Sequence, residues 1–145
     1  MNNSQSKEIK IKIKGLGGQG VKFLSGILGN MLQDNDKYVS IHLDYDAAMR
    51  GGGIESTMIV SDEQIGCPLT KDVNFLVDMA QNDQEPTKSN GFKADQVIPA
   101  DNNMTALGKL LKALGFDLDQ LDLDQYLPAR AKEQNIKYIN QGYRS

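Results

Sequence analysis

The chain has 145 residues, which is enough for one hydrophobic core but not for two independent ones. Sixteen Lys and Arg against nineteen Asp and Glu give a net charge of -3, which argues against a nucleic-acid-binding surface. The single cysteine, Cys67, excludes an intramolecular disulfide and the usual zinc spacings, and favours a reducing, cytoplasmic setting. No stretch approaches the roughly 18 consecutive apolar residues of a membrane-spanning helix.

The N-terminal part of the chain has the pattern of a strand, a helix and a second strand. Residues 1–7 are polar and predict a disordered tail in front of a single domain over residues 8–145. In Glu8–Lys14, isoleucines alternate with lysines, which is typical of a strand. Apolar residues then recur at helical spacing from Val21 to about residue 33. Tyr38–Asp44 is the second predicted strand.

The middle of the chain predicts further strands joined by loops. Ser56–Ser61 and Val73–Met79 are rich in β-branched and apolar residues. Residues 62–70 and 81–93 are polar, contain prolines or glycines, and predict loops. Gln96–Pro99 is a short apolar segment that predicts an edge strand ending at its proline.

Helices return in the C-terminal part. Met104–Leu114 has one apolar face, with Asn102 or its neighbour Asn103 as the N-cap and Gly115 as the stop. A last helix is predicted to begin at Pro128 and to end near residue 141. The order of strands and helices predicts an α/β fold with a mixed sheet.

The junction between the first strand and the first helix is rich in glycine. Gly15, Gly17 and Gly20 satisfy the spacing G-x-G-x-x-G, and Gly18 adds a fourth glycine. Glycines allow the backbone to turn tightly and to approach a ligand, while amides at a helix N-terminus face an anion. The pattern therefore favours a phosphate-binding loop in this context. The alternative is a tight turn that binds nothing.

Two neighbouring segments bear on the nature of a ligand. Asp44 or Asp46, after the second strand, stands where a dinucleotide site has its ribose-binding acid, although either fits a solvated loop residue better. Arg50 is followed by three glycines, Gly51, Gly52 and Gly53, and offers a planar fork for phosphate or carboxylate. The alternative for this segment is a flexible connection with a surface arginine.

Other reactive residue types favour structural interpretations. His42 lies within a strand pattern without a matching nucleophile, and Cys67 has no second cysteine to support a redox role. The acidic run of residues 117–124 alternates with leucines, which indicates an amphipathic connection rather than a metal site. No catalytic residue and no metal ligand is therefore assigned to this chain.

Taken together, these segments resemble the gamma subunit of 2-oxoacid:ferredoxin oxidoreductases. The residues that carry the resemblance are Gly15–Val21, Arg50–Gly52, Ile59–Pro68 and Asp72–Val77, followed more loosely by Val97–Ala100, Asn103–Met104, Leu107–Gly108 and Asn140–Tyr143. It implies a Rossmann-like, three-layer α/β/α domain with a mixed, mostly parallel sheet. The chain departs from the family after Met79, where a helix and a strand are missing, and after Ala100. The domain is therefore expected to be a shortened one.

The resemblance implies a component of a larger enzyme rather than a self-sufficient one. Such a complex oxidatively decarboxylates a 2-oxoacid, transfers the acyl group to coenzyme A and passes electrons to ferredoxin. It implies thiamine diphosphate-binding, alpha-type and ferredoxin-like partner subunits, which would carry the thiamine diphosphate and the iron–sulfur clusters. One cysteine agrees with this assignment, because it cannot ligate a Cys₄ cluster.

For the site, the resemblance implies that the glycine loop faces the ligand and that the Arg-Gly-Gly segment lies nearby. The implied binding residues are Gly15, Gly17, Gly18, Gln19, Gly20, Arg50, Gly51 and Gly52. Gln19 would supply an amide contact, and Arg50 would contact an anion or a partner subunit. Two other functions remain open, namely an independent dinucleotide-binding oxidoreductase and a scaffold domain of the same fold without a ligand.

Overall fold

A computed structural model describes residues 8–46, 52–65, 72–79 and 93–145. The strands in these ranges are β1 (Ile9–Leu16), β2 (Tyr38–Asp46), β3 (Gly53–Ser61), β4 (Val73–Asp78) and β5 (Ala94–Pro99). The α-helices there are α1 (Val21–Asp34), α2 (Asn103–Ala113) and α3 (Lys132–Arg144). Two short 3₁₀ turns, Leu118–Gln120 and Leu123–Gln125, lie between α2 and α3.

The described strands form one sheet in the order β2-β3-β1-β4-β5. β3 is antiparallel to both β1 and β2, whereas β4 is parallel to β1 and β5 is parallel to β4. Four strands therefore run in one direction and β3 runs against them, so the predicted α/β fold with a mixed sheet is confirmed. The carboxyl ends of β1, β2, β4 and β5 lie at the same end of the sheet, where β3 begins.

The alternation in β1 separates an apolar face of the sheet from a polar one. Ile11 and Ile13 are fully buried under the helices, because residues of one parity share a face. Lys12 and Lys14 point to the other face, where their ammonium groups lie 3.8 and 3.6 Å from the carboxylate of Glu55 on β3. The lysine–isoleucine pattern thus fixes which face of β1 meets the core.

All three described helices pack on the apolar side of the sheet. Leu24 and Leu28 of α1 and Leu107 and Leu111 of α2 are fully buried and join Ile11 in one core cluster. α3 lies against α2 in the same cluster. A second helical layer on the polar side is not among the elements that the structure describes. In those same ranges, no helix is long and apolar enough to cross a membrane.

The ends of α2 follow the prediction. The side-chain oxygen of Asn102 accepts a hydrogen bond from the amide of Thr105 at 2.9 Å, which confirms the N-cap. Gly115 has a φ of 86°, in the left-handed region that ends many helices, which confirms the stop.

The start of the last helix was predicted wrongly. α3 begins at Lys132 rather than at Pro128 and continues to Arg144. Ala131 has a φ of 59°, in the left-handed region, so the helix does not extend back to Pro128. Glu133 in the first turn and Arg144 in the last turn favour these bounds, because each charge opposes the partial charge of its helix end.

Two strands begin earlier than their patterns indicated, and β1 and β2 each end two residues later than predicted. β3 begins at Gly53 rather than at Ser56, because Gly53 is already in register with Leu16 on β1. β5 begins at Ala94, in register with Val73 on β4. The predicted tail (1–7), part of the 62–70 loop and nearly all of the 81–93 loop lie outside the described residues.

Candidate functional site

The glycine loop turns the chain from the end of β1 into α1. Gly18 and Gly20 have φ values of 87° and 77°, a conformation that costs other L-residues about 1–2 kcal/mol. The amide of Gln19 donates to the carbonyl of Leu16 at 3.1 Å and closes the turn. The carbonyl of Gly20 accepts from the amide of Leu24 at 3.0 Å and so starts the helix. Two of the four glycines are therefore required by backbone conformation.

The side chain of Gln19 braces this loop from within. Its Oε1 accepts a hydrogen bond from the amide of Leu16 at 2.5 Å, and its Nε2 donates to the carbonyl of Met79 at 2.9 Å. Both polar atoms of the side chain are thus bonded to the backbone at the ends of β1 and β4. The amide contact to a ligand that the family resemblance implies for Gln19 competes with these bonds.

A backbone hydrogen bond brings the second glycine segment to the loop. The amide of Gly17 donates to the carbonyl of Gly52 at 2.7 Å. Gly52 has a φ of 77°, and a Cβ built on it meets nothing within 4 Å. The structure therefore brings Gly52 together with Gly17, as predicted for the two segments. Arg50 and Gly51 lie outside the described residues.

The first turn of α1 presents backbone N–H donors at the end of the sheet where β1 ends. Among the residues that the structure describes, none accepts a hydrogen bond from the amides of Gly18 and of residues 20–23. No side chain caps the helix, and its first turn carries no acidic residue. Lys22 adds a positive charge to the positive end of the helix dipole. Such an arrangement attracts an anion.

These donors border a cavity of about 1070 Å³. Its lining consists of glycines, apolar side chains, one lysine, one asparagine and two tyrosines: Leu16, Gly17, Gly18, Gly20, Val21, Lys22, Phe23, Gly26, Ile27, Asn30, Tyr45, Gly52, Gly53, Ile54 and Tyr126. Phe23 and Tyr45 are exposed large apolar residues beside it. The cavity therefore offers backbone donors and a lysine at one end and an apolar wall along α1.

Tyr126 reaches this cavity from the segment between α2 and α3. Its hydroxyl donates to Oδ2 of Asp34, the last residue of α1, at 2.6 Å. That hydrogen bond, with smaller contributions from desolvation and from nearby carboxylates, raises the pKa of Tyr126 to about 12. The phenol therefore stays protonated. Sequence reasoning missed this residue, because 92 positions separate the two partners and no local pattern joins them.

Asn103 is a second residue that sequence reasoning did not connect with the loop. It begins α2, and its Nδ2 lies 3.4 Å from the carbonyl of Gly20. A Cβ built on Gly20 would lie 2.3 Å from the same nitrogen. The last glycine of the pattern thus makes room for a side chain of another helix.

The acid predicted for a ribose lies elsewhere. Oδ1 of Asp44 is 3.3 Å from Nε2 of His42, on the polar face of β2. β3 separates β2 from β1, and Asp44 is not among the residues that line the cavity. Asp46 is in register with Gly53, but its side chain lies outside the described part. The structure does not bring Asp44 to the glycine loop.

The acidic run between α2 and α3 caps its own turns. Asp117 accepts from the amide of Asp119 at 3.1 Å, and Asp122 accepts from that of Asp124 at 3.2 Å. Among the described residues, no three histidine, cysteine or acidic side chains gather in a metal-binding cluster. Cys67 is not one of the described residues.

Known proteins resemble this chain in sequence and in fold. Residues 10–102 match the family described as pyruvate ferredoxin/flavodoxin oxidoreductase. The 2-oxoglutarate synthase subunit KorC of Archaeoglobus fulgidus is 26% identical over 163 aligned positions, which cover 94% of this chain and 87% of that protein. The alignment is longer than the 145 residues of the chain, so that protein contains residues that this chain lacks.

Solved structures share the fold. A keto/oxoacid ferredoxin oxidoreductase gamma subunit from Geobacter sulfurreducens PCA matches with a TM-score of 0.68 at 18% identity, over 94% of this chain and 96% of that one. The 2-oxoglutarate:ferredoxin oxidoreductase of Magnetococcus marinus, with 2-oxoglutarate, coenzyme A and succinyl-CoA bound, matches with a TM-score of 0.68 at 16% identity. The match covers 94% of this chain and 30% of that one.

The family match confirms the resemblance drawn from the glycine loop and the segments that follow it. It extends from β1 to the N-cap of α2, which is well over half of the 145 residues. The chain belongs to the pyruvate ferredoxin/flavodoxin oxidoreductase family.

Proposed function

We propose that this chain is the gamma-type subunit of a 2-oxoacid:ferredoxin oxidoreductase complex and that residues 8–145 act in it as a single domain. The complex converts a 2-oxoacid and coenzyme A into acyl-CoA and passes electrons to ferredoxin. Thiamine diphosphate and iron–sulfur clusters belong to thiamine diphosphate-binding, alpha-type and ferredoxin-like partners, which act with this chain in the cytoplasm. The family match supports the proposal, as does one core cluster that joins the sheet to all three helices.

Within that complex, the chain contributes to the binding of coenzyme A through its glycine loop. One observation carries this assignment: the amides of Gly18 and of the first turn of α1, which have no acceptor among the described residues, border a cavity of about 1070 Å³ with an apolar wall. Coenzyme A has phosphate groups and a long, weakly polar arm. The amides and Lys22 suit the phosphates, and the wall along Phe23 and Ile27 suits the arm.

The other predicted residues divide into two roles. Gln19 positions the loop through its bonds to Leu16 and Met79. Arg50 contacts an anion or a partner subunit, and its position two residues before Gly52 supports this assignment, since Gly52 is bonded to Gly17. Unchanged activity of the assembled complex after Arg50→Ala would overturn the role of Arg50.

The charge of the loop can be tested at Gly18 with two nearly isosteric variants. A Cβ on Gly18 meets nothing within 4 Å, and Asn and Asp both tolerate the left-handed conformation. Gly18→Asp places a carboxylate beside the amides, whereas Gly18→Asn adds the same volume without charge. In the complex reconstituted with its native partners, we expect Gly18→Asp to weaken coenzyme A binding about tenfold relative to Gly18→Asn. Equal binding by the two variants would remove the loop from the site.

Further measurements separate the alternative functions. Purification of the chain from its host with thiamine diphosphate-binding and ferredoxin-like subunits supports the complex, and recovery of the chain alone contradicts it. An independent dinucleotide-binding enzyme predicts thermal stabilisation of the isolated chain by NADH at millimolar concentration. A ligand-free scaffold predicts that Gly18→Asp leaves both assembly and activity unchanged.

A further inference from the structure

The two edges of the described sheet differ in how they are protected against pairing. β5 is six residues long and ends at Pro99, and both its short length and its proline hinder the addition of another strand. β2, at the other edge, is nine residues long and contains neither proline nor lysine. β2 pairs with β3 alone among the described strands, so none of them bonds to its outer row of backbone donors and acceptors.

The side chains of β2 leave this edge open. Ile41 and Tyr45, on the helix-covered face, are 41% and 71% exposed. On the opposite face, the side chains of His42 and Asp44 are 55% and 66% exposed and lie 3.3 Å apart. An exposed, nine-residue edge with large apolar side chains is the kind of strand that pairs with another chain.

We infer that β2 is a docking edge for a second copy of this chain, which pairs with it antiparallel about a two-fold axis at Leu43. In this register, Ile41 lies opposite the partner's Tyr45, and His42 lies opposite the partner's Asp44. Each apolar residue thus meets an apolar residue on one face, and each imidazole meets a carboxylate on the other. The two five-stranded sheets become one continuous sheet.

The sequence of β2 is self-complementary in this register. In an antiparallel pair about a two-fold axis, residues whose numbers sum to a fixed even value face each other, because alternate residues point to the same face. The sum of 86 pairs 41 with 45 and 42 with 44. A sum of 84 places His42 opposite itself, and a sum of 88 places Asp44 opposite itself. The register about Leu43 avoids both like pairs, which selects a second copy over an unrelated strand as the occupant.

A disulfide test follows from the symmetry. Residues at the axis have Cα atoms about 4.5–5.5 Å apart, within the range that a disulfide spans. Leu43→Cys, in a Cys67→Ser background, should therefore link two copies under mild oxidation. Tyr45→Cys is the matched control, since the two introduced thiols stand four residues out of register, about 14 Å apart.

An exchange of the charged residues tests the same register without a covalent cross-link. We expect sedimentation of the full chain to show a dimer that His42→Asp weakens about tenfold, because two pairs of like charges then face each other. The double variant His42→Asp with Asp44→His should restore it. Ile41→Lys should also dissociate it, whereas Val97→Lys adds the same charge on the β5 edge, where Val97 is 49% exposed, and should not.

Three results would overturn the inference. The first is a chain that stays monomeric throughout the micromolar range. The second is a dimer that neither the charge exchange nor Leu43→Cys affects, which would lie on another surface. The third is a disulfide from Leu43→Cys to a different subunit in the assembled complex, with a cysteine placed there, which would assign the edge to that subunit.

Discussion

The side-chain amide of Gln19 donates a hydrogen bond to the carbonyl of Met79 at 2.9 Å and joins the loop after β1 to the end of β4, 60 residues away. The same side chain accepts from the amide of Leu16. One residue within the glycine motif therefore holds the loop against two neighbouring strands, which keeps the backbone amides of the loop beside the cavity.

Replacement of Gln19 by leucine should destabilise the fold. Gln19→Leu leaves the amide of Leu16 and the carbonyl of Met79 without partners in a partly buried site, which costs about 1–3 kcal/mol. Urea unfolding measures this loss. The control is Gln33→Leu, an exposed position of α1, with an expected change within about 0.5 kcal/mol. A Gln19→Leu variant of native stability that has lost coenzyme A binding would instead support a direct ligand contact by Gln19.

The last glycine of the loop should be more sensitive than Gly18, although both adopt left-handed backbone. Gly18→Ala should cost about 1–2 kcal/mol for its conformation alone, since its Cβ meets nothing within 4 Å. Gly20→Ala adds a clash with Nδ2 of Asn103, at 2.3 Å. Thermal unfolding of Gly20→Ala, Asn103→Ala and the double variant should give a coupling of at least about 0.5 kcal/mol. Additive effects would show that Asn103 does not confine Gly20.

Substitution of either glycine between α2 and α3 should force the helices apart. A Cβ on Gly108 would lie 2.1 Å from the carbonyl oxygen of Ile139, and one on Gly142 would lie 2.1 Å from that of Thr105. Because both obstacles are backbone atoms, Gly108→Ala and Gly142→Ala should each cost about 1–3 kcal/mol in urea unfolding.

Gly26→Ala in α1 is the control, because it should raise the stability that the other two substitutions lower. A Cβ at this position meets nothing within 4 Å, so Gly26→Ala should stabilise the fold by about 0.5–1 kcal/mol, as expected for alanine in a helix interior. Equal stability of Gly26→Ala, Gly108→Ala and Gly142→Ala would contradict the close contact of α2 with α3.

Removal of the Tyr126 hydroxyl should have an effect that depends on pH. The pKa of Tyr126 in the fold, about 12, is above its ordinary value of 10.0, so its contribution is complete below pH 10 and is lost as the pH rises through 12. Tyr126→Phe should cost at most about 1 kcal/mol at neutral pH, because the bond to Asp34 is exposed. Unfolding curves of the two proteins should converge at high pH. A constant difference across this range would contradict the assignment.

The elements that the sequence predicted well are those whose signal lies within a few consecutive residues. The isoleucines of β1 alternate with lysines, and the apolar stripe of α1 recurs at helical spacing, so each pattern identifies a buried face. The cap at Asn102 and the stop at Gly115 also depend on local backbone geometry. Pro128 failed as a helix start because proline permits a first turn without requiring one.

The contacts that assemble the candidate site do not depend on a few consecutive residues. The bond from Gly17 to Gly52, the fit of Asn103 against Gly20 and the bond from Tyr126 to Asp34 join segments far apart in the chain. No periodicity or spacing indicates such pairs, since each depends on how the sheet and helices are packed.

The sequence by itself determined the family, the glycine loop and the faces of the strands, because residue type and local spacing carry that information. Tertiary structure alone decided that Asp44 lies on the face of β2 opposite to Tyr45, which lines the cavity, and that Gln19 is bonded within the protein. The physical reason is that strand order and side-chain partners follow from burial of the whole core, to which residues distant in sequence contribute together.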